Sequence, residues 1–247
     1  MIEIFRNLFS PPRHIILLII AAWIGLIFAE KHTEHHGISK SDLNNITFYS
    51  LVAFIIGGRI SFALENSATF IKSPLGIVSI NPDIFDLAGA TAVAFIAAMI
   101  YAQRNKLLFW NTLDALTPFF SILAIGLGLS NLAAGTAFGQ ETHLPWGINL
   151  WNATRHPTQI YETLASLLIL MMIWFKKYNP PSGILFLTFA ALTAASQLFL
   201  QAFRGDSTFI FHDLREAQII AWFLLVICFI LFELRLGQRN KEKVSKK

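Results

Sequence analysis

A chain of 247 residues that is 55% hydrophobic and only 14% charged, with 23 phenylalanines and a mean hydropathy of +0.56, is too apolar for a soluble domain or a disordered chain. Its one cysteine, Cys228 within the apolar stretch 222–232, excludes a disulfide scaffold and reads as a small hydrophobe. The net charge of +4 does not point to nucleic acid, because six of the 19 cations crowd into residues 235–247 as a basic tail.

Long apolar runs separated by short polar stretches suit a hydrocarbon core about 30 Å thick. In chain order, seven of them predict helices over residues 14–30, 46–65, 84–102, 107–128, 159–175, 183–203 and 214–234. The first is read as a retained helix, since polar residues precede it and no small-residue cleavage pattern follows. In the second, Gly57 and Gly58 precede Arg59 and let another backbone or a lipid come close. The third carries Gly89, Ala90, Ala92, Ala94, Ala97 and Ala98, a composition for close helix packing. The fourth ends among Gly126, Gly128 and Gly135, glycines that could let the chain unwind into a cavity.

Lys31, Lys40, Arg104, Lys106, Lys176 and Lys177 join the six tail cations on one side, against Arg6, Arg13, Lys72, Arg155, Arg204 and Arg215 on the other. By the positive-inside rule this predicts an all-α integral membrane protein with seven transmembrane helices, N-terminus outside and C-terminus cytoplasmic. Residues 1–234 form a single transmembrane domain and 235–247 a basic cytoplasmic tail. The extracytoplasmic side then holds the longest loops, 66–83, 139–158 and 204–213. No internal repeat supports an inverted-repeat transporter.

Charges within apolar segments cost at least about 2.5–3.5 kcal/mol each at mid-membrane, which makes Arg59, Glu65, Asp86, Asp114, Glu162 and Arg204 candidates for function. The structural alternative is a polar pair joining helices, or a side chain reaching the headgroups; Glu65 and Asp86, close to segment ends, fit it. The stretch 138–162, FGQETHLPWGINLWNATRHPTQIYE, is the densest in chemistry. Pro157 suits a first helical turn and puts Arg155 and His156 just ahead of it, while Trp146, Trp151 and Tyr161 suit the membrane interface. Helix N-terminal amides, a guanidinium and an imidazole together suit a phosphate, with Glu162 orienting His156 or pairing with an arginine. An ordinary interfacial loop with satisfied charges is the other reading. His32 and His36, spaced four apart in EKHTEHHG with no thiolate nearby, read as a solvated cluster. Asn152-Ala153-Thr154 is a weak match to a glycosylation acceptor.

Several strings fall in one order: HHGISKSDL at 35–43, IIGGRISFAL at 55–64, DALTP at 114–118, SNLAAGTAFGQETHLPWG at 130–147, RHPTQIYE at 155–162 and QAFRGD at 201–206. In these the chain resembles the prolipoprotein diacylglyceryl transferase family, membrane enzymes that move a diacylglyceryl group from phosphatidylglycerol to a lipoprotein precursor. The RHP-x-Q-x-YE string is the most specific of them. The resemblance implies transfer to the lipobox cysteine thiol of a prolipoprotein, forming a thioether, in the bacterial cytoplasmic (inner) membrane. It implies no cofactor and no metal; the partners are phosphatidylglycerol or a related anionic lipid and a signal peptide. It implies catalytic roles for His156, Glu162 and Arg155, with His156 and Glu162 moving the proton. Arg59, Asn131, Gly139, Gln159, Tyr161 and Arg204 are implied as substrate-binding, Arg204 sharing the phosphate with Arg155 and Arg59 in a supporting position.

The chain departs from that pattern at several places. Leu87-Ala88-Gly89-Ala90 stands where the family usually has His-Gly-Gly, and Leu127-Gly128 where a Gly-Arg precedes the asparagine. Thr136 replaces an acidic residue, and Gln197 and Gln201 replace an arginine and a glutamate. Each charge-assisted hydrogen bond removed from a dry site is worth about 1.5–3 kcal/mol, which weakens phosphatidylglycerol binding or favours a different lipid. The alternative is therefore a catalytically impaired lipid-binding or accessory membrane protein of the same family.

Overall fold

The computed structural model describes residues 2–31, 33–72, 76, 84–175, 180–211 and 214–245. His32, Lys176, Lys177 and most of the 66–83 loop, on which expectations above fall, lie outside the described residues. The described chain is mostly helical: α1 (Ile2–Leu8), α2 (Ile15–Glu30), α3 (Lys40–Glu65), α4 (Ser67–Lys72), α5 (Leu87–Arg104), α6 (Phe109–Ala134), α7 (Thr158–Trp174), α8 (Ile184–Leu200) and α9 (Glu216–Ser245). Two short antiparallel pairs complete it, β1 (Ile148–Leu150) with β2 (Ala153–Arg155) and β3 (Phe209–Phe211) with β4 (Leu214–Arg215).

Each of the seven apolar segments is helical. Helices α3, α5 and α6, Ile184–Phe203 and Glu216–Gly237 are long and apolar enough to cross a membrane, and α2 and α7 are shorter apolar helices. Large hydrophobics face outward along them, among them Trp23, Phe95, Met172 and Phe229. Lipid, not water, is the solvent that tolerates such a surface, so this is a multi-pass membrane protein.

Two compact units divide the chain. In the unit of residues 33–112, Ser39 caps α3 by accepting from Asp42 N at 3.0 Å. Helices α3 and α5 approach through their glycines: a Cβ on Gly57 would overlap Val93, one on Gly58 would overlap Phe85, and one on Gly89 would overlap Ser61. Asp86 caps α5, accepting from Ala88 N at 3.1 Å and Gly89 N at 2.7 Å, and also takes the Ser61 hydroxyl at 2.7 Å. Arg59 sits on α3 directly after this close contact.

The other unit comprises residues 1–32 and 113–247. Helix α6 does not unwind at Gly126 and Gly128; it stays helical to Ala134 and ends at Gly135, whose φ is +74°. Those two glycines are sites of close packing. A Cβ on Gly126 would overlap Ala21 of α2, and one on Gly128 would overlap Thr163 of α7. Ile169 and Ile173 of α7 pack with Leu185 of α8.

Asp114 is only 1% exposed and accepts from Gly183 N at 2.6 Å and Phe186 N at 2.8 Å, so α6 supplies the cap for the start of α8. Arg235 of α9 holds the same turn through the Ser182 carbonyl at 2.9 Å and hydroxyl at 2.9 Å. Asp114→Ala leaves two N–H groups without their acceptor and is expected to cost about 2–4 kcal/mol, read as a lower melting temperature in detergent. Asp114→Asn, which keeps one acceptor oxygen, should recover part of that loss.

Candidate functional site

The site is built where three stretches of backbone run side by side in the unit that contains α7 and α8. Residues 138–142 lie between residues 203–205 and 154–156. Gln140 N donates to Phe203 O and Gly205 N to Phe138 O, both at 2.8 Å, while His156 N donates to Gln140 O and Thr142 N to Thr154 O, both at 2.9 Å. Beside them the β1–β2 hairpin turns through Trp151 and Asn152, with φ of +53° and +60°, the mirror-image turn that matches strand twist. Gly139 lies at the crossing: a Cβ there would overlap the backbone of His156. A Cβ on Gly205 would in turn come within 2.7 Å of the Gly139 carbonyl.

Arg155 closes β2 and turns its guanidinium onto this backbone. Nε donates to Leu150 O at 3.1 Å, Nη1 to Gly139 O at 3.4 Å and Nη2 to Glu141 Oε1 at 3.3 Å, with the Phe138 ring centred 5.1 Å away. Its side chain is 16% exposed, so it is not a bulk-solvent arginine. Arg204 is held by two carboxylates. Nε and Nη2 form a fork onto Asp206 at 2.7 and 3.1 Å, and Nη1 donates to Glu162 Oε1 at 3.1 Å. Burial opposes its charge, yet the Asp206 hydrogen bonds and the Glu162 charge outweigh burial and hold the guanidinium above its ordinary value.

Helix α7 begins at Thr158 with Pro157 just outside it as the cap residue, close to the expected start. This first turn anchors into the preceding loop. Thr158 donates to Ala137 O at 2.6 Å and Gln159 Nε2 to Thr136 O at 2.8 Å, both residues being wholly buried. One turn on, Glu162 is 8% exposed and pairs with Arg204; of the two roles open to it in the sequence, this is the arginine pair. The His156 ring forms a three-ring cluster with Phe203, 5.3 Å away, and Tyr161, 6.3 Å away, and its buried Nδ1 has no hydrogen-bond partner. The Tyr161 hydroxyl accepts from Trp146 Nε1 at 2.8 Å. Asn131, at the end of α6, accepts from the Thr136 hydroxyl at 3.3 Å.

Of the residues singled out in the sequence, Gly139, Arg155, His156, Gln159, Tyr161, Glu162 and Arg204 are thus brought together, with Asn131 joined to them through Thr136. Arg59 belongs to the other unit. Two of the replaced positions belong to a neutral chain: Gln201 Nε2 donates to Gln197 Oε1 and Ser207 Oγ to Gln201 Oε1, both at 3.1 Å. Two participants went unmarked in the sequence, Asp206 and Phe203. Both lie within QAFRGD, and the carboxylate two residues after Arg204 was the available signal.

This arrangement places two carboxylate-paired guanidiniums and a histidine with an unengaged ring nitrogen around one backbone crossing, with no metal-ligand cluster among the described residues. Comparison with known proteins agrees with the motifs. A relative from Clostridioides difficile named phosphatidylglycerol–prolipoprotein diacylglyceryl transferase is 26% identical over 232 residues, covering 93% of this chain and 92% of that one. Relatives of the same name come from Thermotoga maritima, at 26% identity over 87% of this chain and 78% of its own, and Desulfotalea psychrophila, at 24% over 89% and 90%. The profile described as prolipoprotein diacylglyceryl transferase matches residues 13–234, which takes in every helix from α2 to α8 and most of α9, and the chain belongs to that family.

Proposed function

We propose that this protein transfers a diacylglyceryl group from phosphatidylglycerol to the lipobox cysteine thiol of prolipoproteins, forming a thioether. The observation that carries the reading is the backbone crossing at Gly139, which joins Arg155, His156 and Arg204 in one place with Glu162 buried behind Arg204. In this reading the chain crosses the bacterial cytoplasmic membrane seven times, N-terminus outside, C-terminus and basic tail inside. The seven apolar helices and the cation asymmetry support that topology.

The reaction forms a bond between the cysteine sulfur and the glyceryl carbon that bears the phosphate ester, and breaks that carbon–oxygen bond. The oxygen keeps the electron pair and leaves as glycerol phosphate. The attacking sulfur belongs to the partner, so the chain supplies no nucleophile of its own. His156 takes the thiol proton, a role supported by its unpartnered Nδ1, and returns a proton to the departing phosphate. Arg155 and Arg204 grip the phosphate. Asp206, whose side chain is 25% exposed, is the carboxylate that yields Arg204 to it, while the more enclosed Glu162 keeps that guanidinium aimed. Asn131 and Tyr161 orient the headgroup, buried Gln159 holds the loop that carries Thr136, and Gly139 gives the space.

The test supplies a lipobox peptide and phosphatidylglycerol labelled in its acyl chains to membranes containing this protein. Label on the peptide's cysteine is expected; none, with a known transferase active alongside, removes the enzyme reading in favour of the lipid-binding one. His156→Ala should slow transfer by about 10²–10⁴-fold, the usual contribution of a general base. Transfer at the wild-type rate in that variant would reassign the proton acceptor.

A further inference from the structure

We propose that the pocket around Arg6 binds the phosphate of an anionic lipid headgroup, at a place apart from the Arg155–Arg204 site. Two cavities adjoin here, of about 480 and 350 Å³, and Arg6 and Trp151 line both. The larger is otherwise walled by the β1–β2 hairpin, with the polar residues Asn149, Asn152 and Thr154, and Arg6 is its one ionisable wall. The smaller runs along α1 past Asn7 and Ser10, where Glu3 is the second charged wall.

Arg6 differs from the arginines of the site described above. Arg155 and Arg204 are each engaged by a carboxylate, whereas among the described residues no carboxylate pairs with Arg6, and its buried Nε has no hydrogen-bond partner. Its guanidinium lies against Gly135, where a Cβ would stand 3.2 Å from Nη2, so the glycine that ends α6 also makes room for it. With no carboxylate to neutralise it, the Arg6 guanidinium lining both cavities keeps its charge for a ligand, and a phosphate is the group whose charge and forked geometry suit it. Asn149, Asn152 and Thr154 add neutral polar groups for ester and glycerol oxygens and bring no repelling charge into the larger cavity.

The rim indicates a lipid as the source of the phosphate. Ile4 and Leu8 of α1 are 71% and 59% exposed, and Trp151 is 61% exposed. An outward apolar helix face and an exposed indole beside a cationic pocket are features of the headgroup layer, where acyl chains run one way and the phosphate the other. The inference needs no transfer chemistry at the neighbouring site.

The experiment counts tightly held lipid on the full chain by native mass spectrometry after mixing with phosphatidylglycerol in phosphatidylcholine micelles. Arg6→Gln is expected to hold one fewer phosphatidylglycerol than wild type, with roughly tenfold weaker binding at that position, and Arg6→Lys to lie between. Thr154→Phe, which narrows the larger cavity from an exposed strand position, should lower the same retention without touching α1. A parallel arm adds glycerol phosphate. If it binds wild type but not Arg6→Gln while lipid retention is equal in both, the lipid assignment is overturned and the site belongs to a soluble phosphate ester. Equal retention of both probes by wild type, Arg6→Gln and Thr154→Phe overturns the proposal outright.

Discussion

Arg204→Met should reduce diacylglyceryl transfer by at least about 10²-fold, the cost of losing one preorganised charged donor, and should destabilise the protein at the same time. The two losses share one cause. Arg204 is the hydrogen-bond donor to Glu162, whose side chain is only 10% exposed, and to Asp206. Removing it strands a carboxylate in a poorly hydrated place, for which breaking a buried pair costs about 3–5 kcal/mol. Both partners keep some contact with solvent, so about 2–4 kcal/mol is expected here, read as a lower melting temperature in detergent. The double variant Glu162→Gln/Arg204→Met separates the effects. It removes the stranded charge, so melting should recover toward wild type while transfer stays lost. Asp206→Asn, which leaves Glu162 paired, should be the mildest of the three in stability. An Arg204→Met protein that melts and transfers like wild type would show that neither the pair nor the guanidinium matters.

The helices were legible because apolar runs long enough to fill a bilayer have few alternative structures. Their ends were not. Helix α3 begins at Lys40, ahead of the apolar run at residue 46, because Ser39 caps it and its first turn is polar. The glycines of α6 were ambiguous for a physical reason: glycine both loosens a helix and lets a neighbour approach, and only the presence of Ala21 and Thr163 opposite Gly126 and Gly128 decides between these. Much of the site was readable as the RHP-x-Q-x-YE string, since the first turn of α7 fixes the spacing of its members.

What the string could not reveal is who pairs with whom. Glu162 had both a histidine and arginines within reach in principle, and its partner Arg204 lies 42 residues away. Arg155 is held largely by the carbonyls of Leu150 and Gly139, and a backbone acceptor leaves no mark on sequence. The unpaired Nε of Arg6 is equally invisible in sequence, because it follows from what the fold fails to bring near that atom.

Gly139→Ala should damage both the stability and the activity of this protein. The reason is backbone geometry and not flexibility, since Gly139 has no positive φ to require glycine. Its added Cβ would overlap the carbonyl carbon and oxygen and the Cβ of His156, which are main-chain or rigidly attached atoms unable to turn aside. His156 N is fixed to Gln140 O at 2.9 Å, and Gln140 N to Phe203 O at 2.8 Å, so the histidine strand cannot retreat without carrying the 203–205 stretch with it. Overpacking of this kind costs about 1–3 kcal/mol, and the same displacement moves the His156 ring relative to Arg204. A shift of about 1 Å in a catalytic constellation is enough to cost about 10²-fold in rate. Melting and transfer should therefore fall together in Gly139→Ala. By contrast Gly37→Ala, where a Cβ meets nothing within 4 Å, should lose only the modest stability set by its φ of +66° and leave transfer intact. Were Gly139→Ala to transfer at the wild-type rate, the crossing of the three stretches could not be what holds the reacting groups in place.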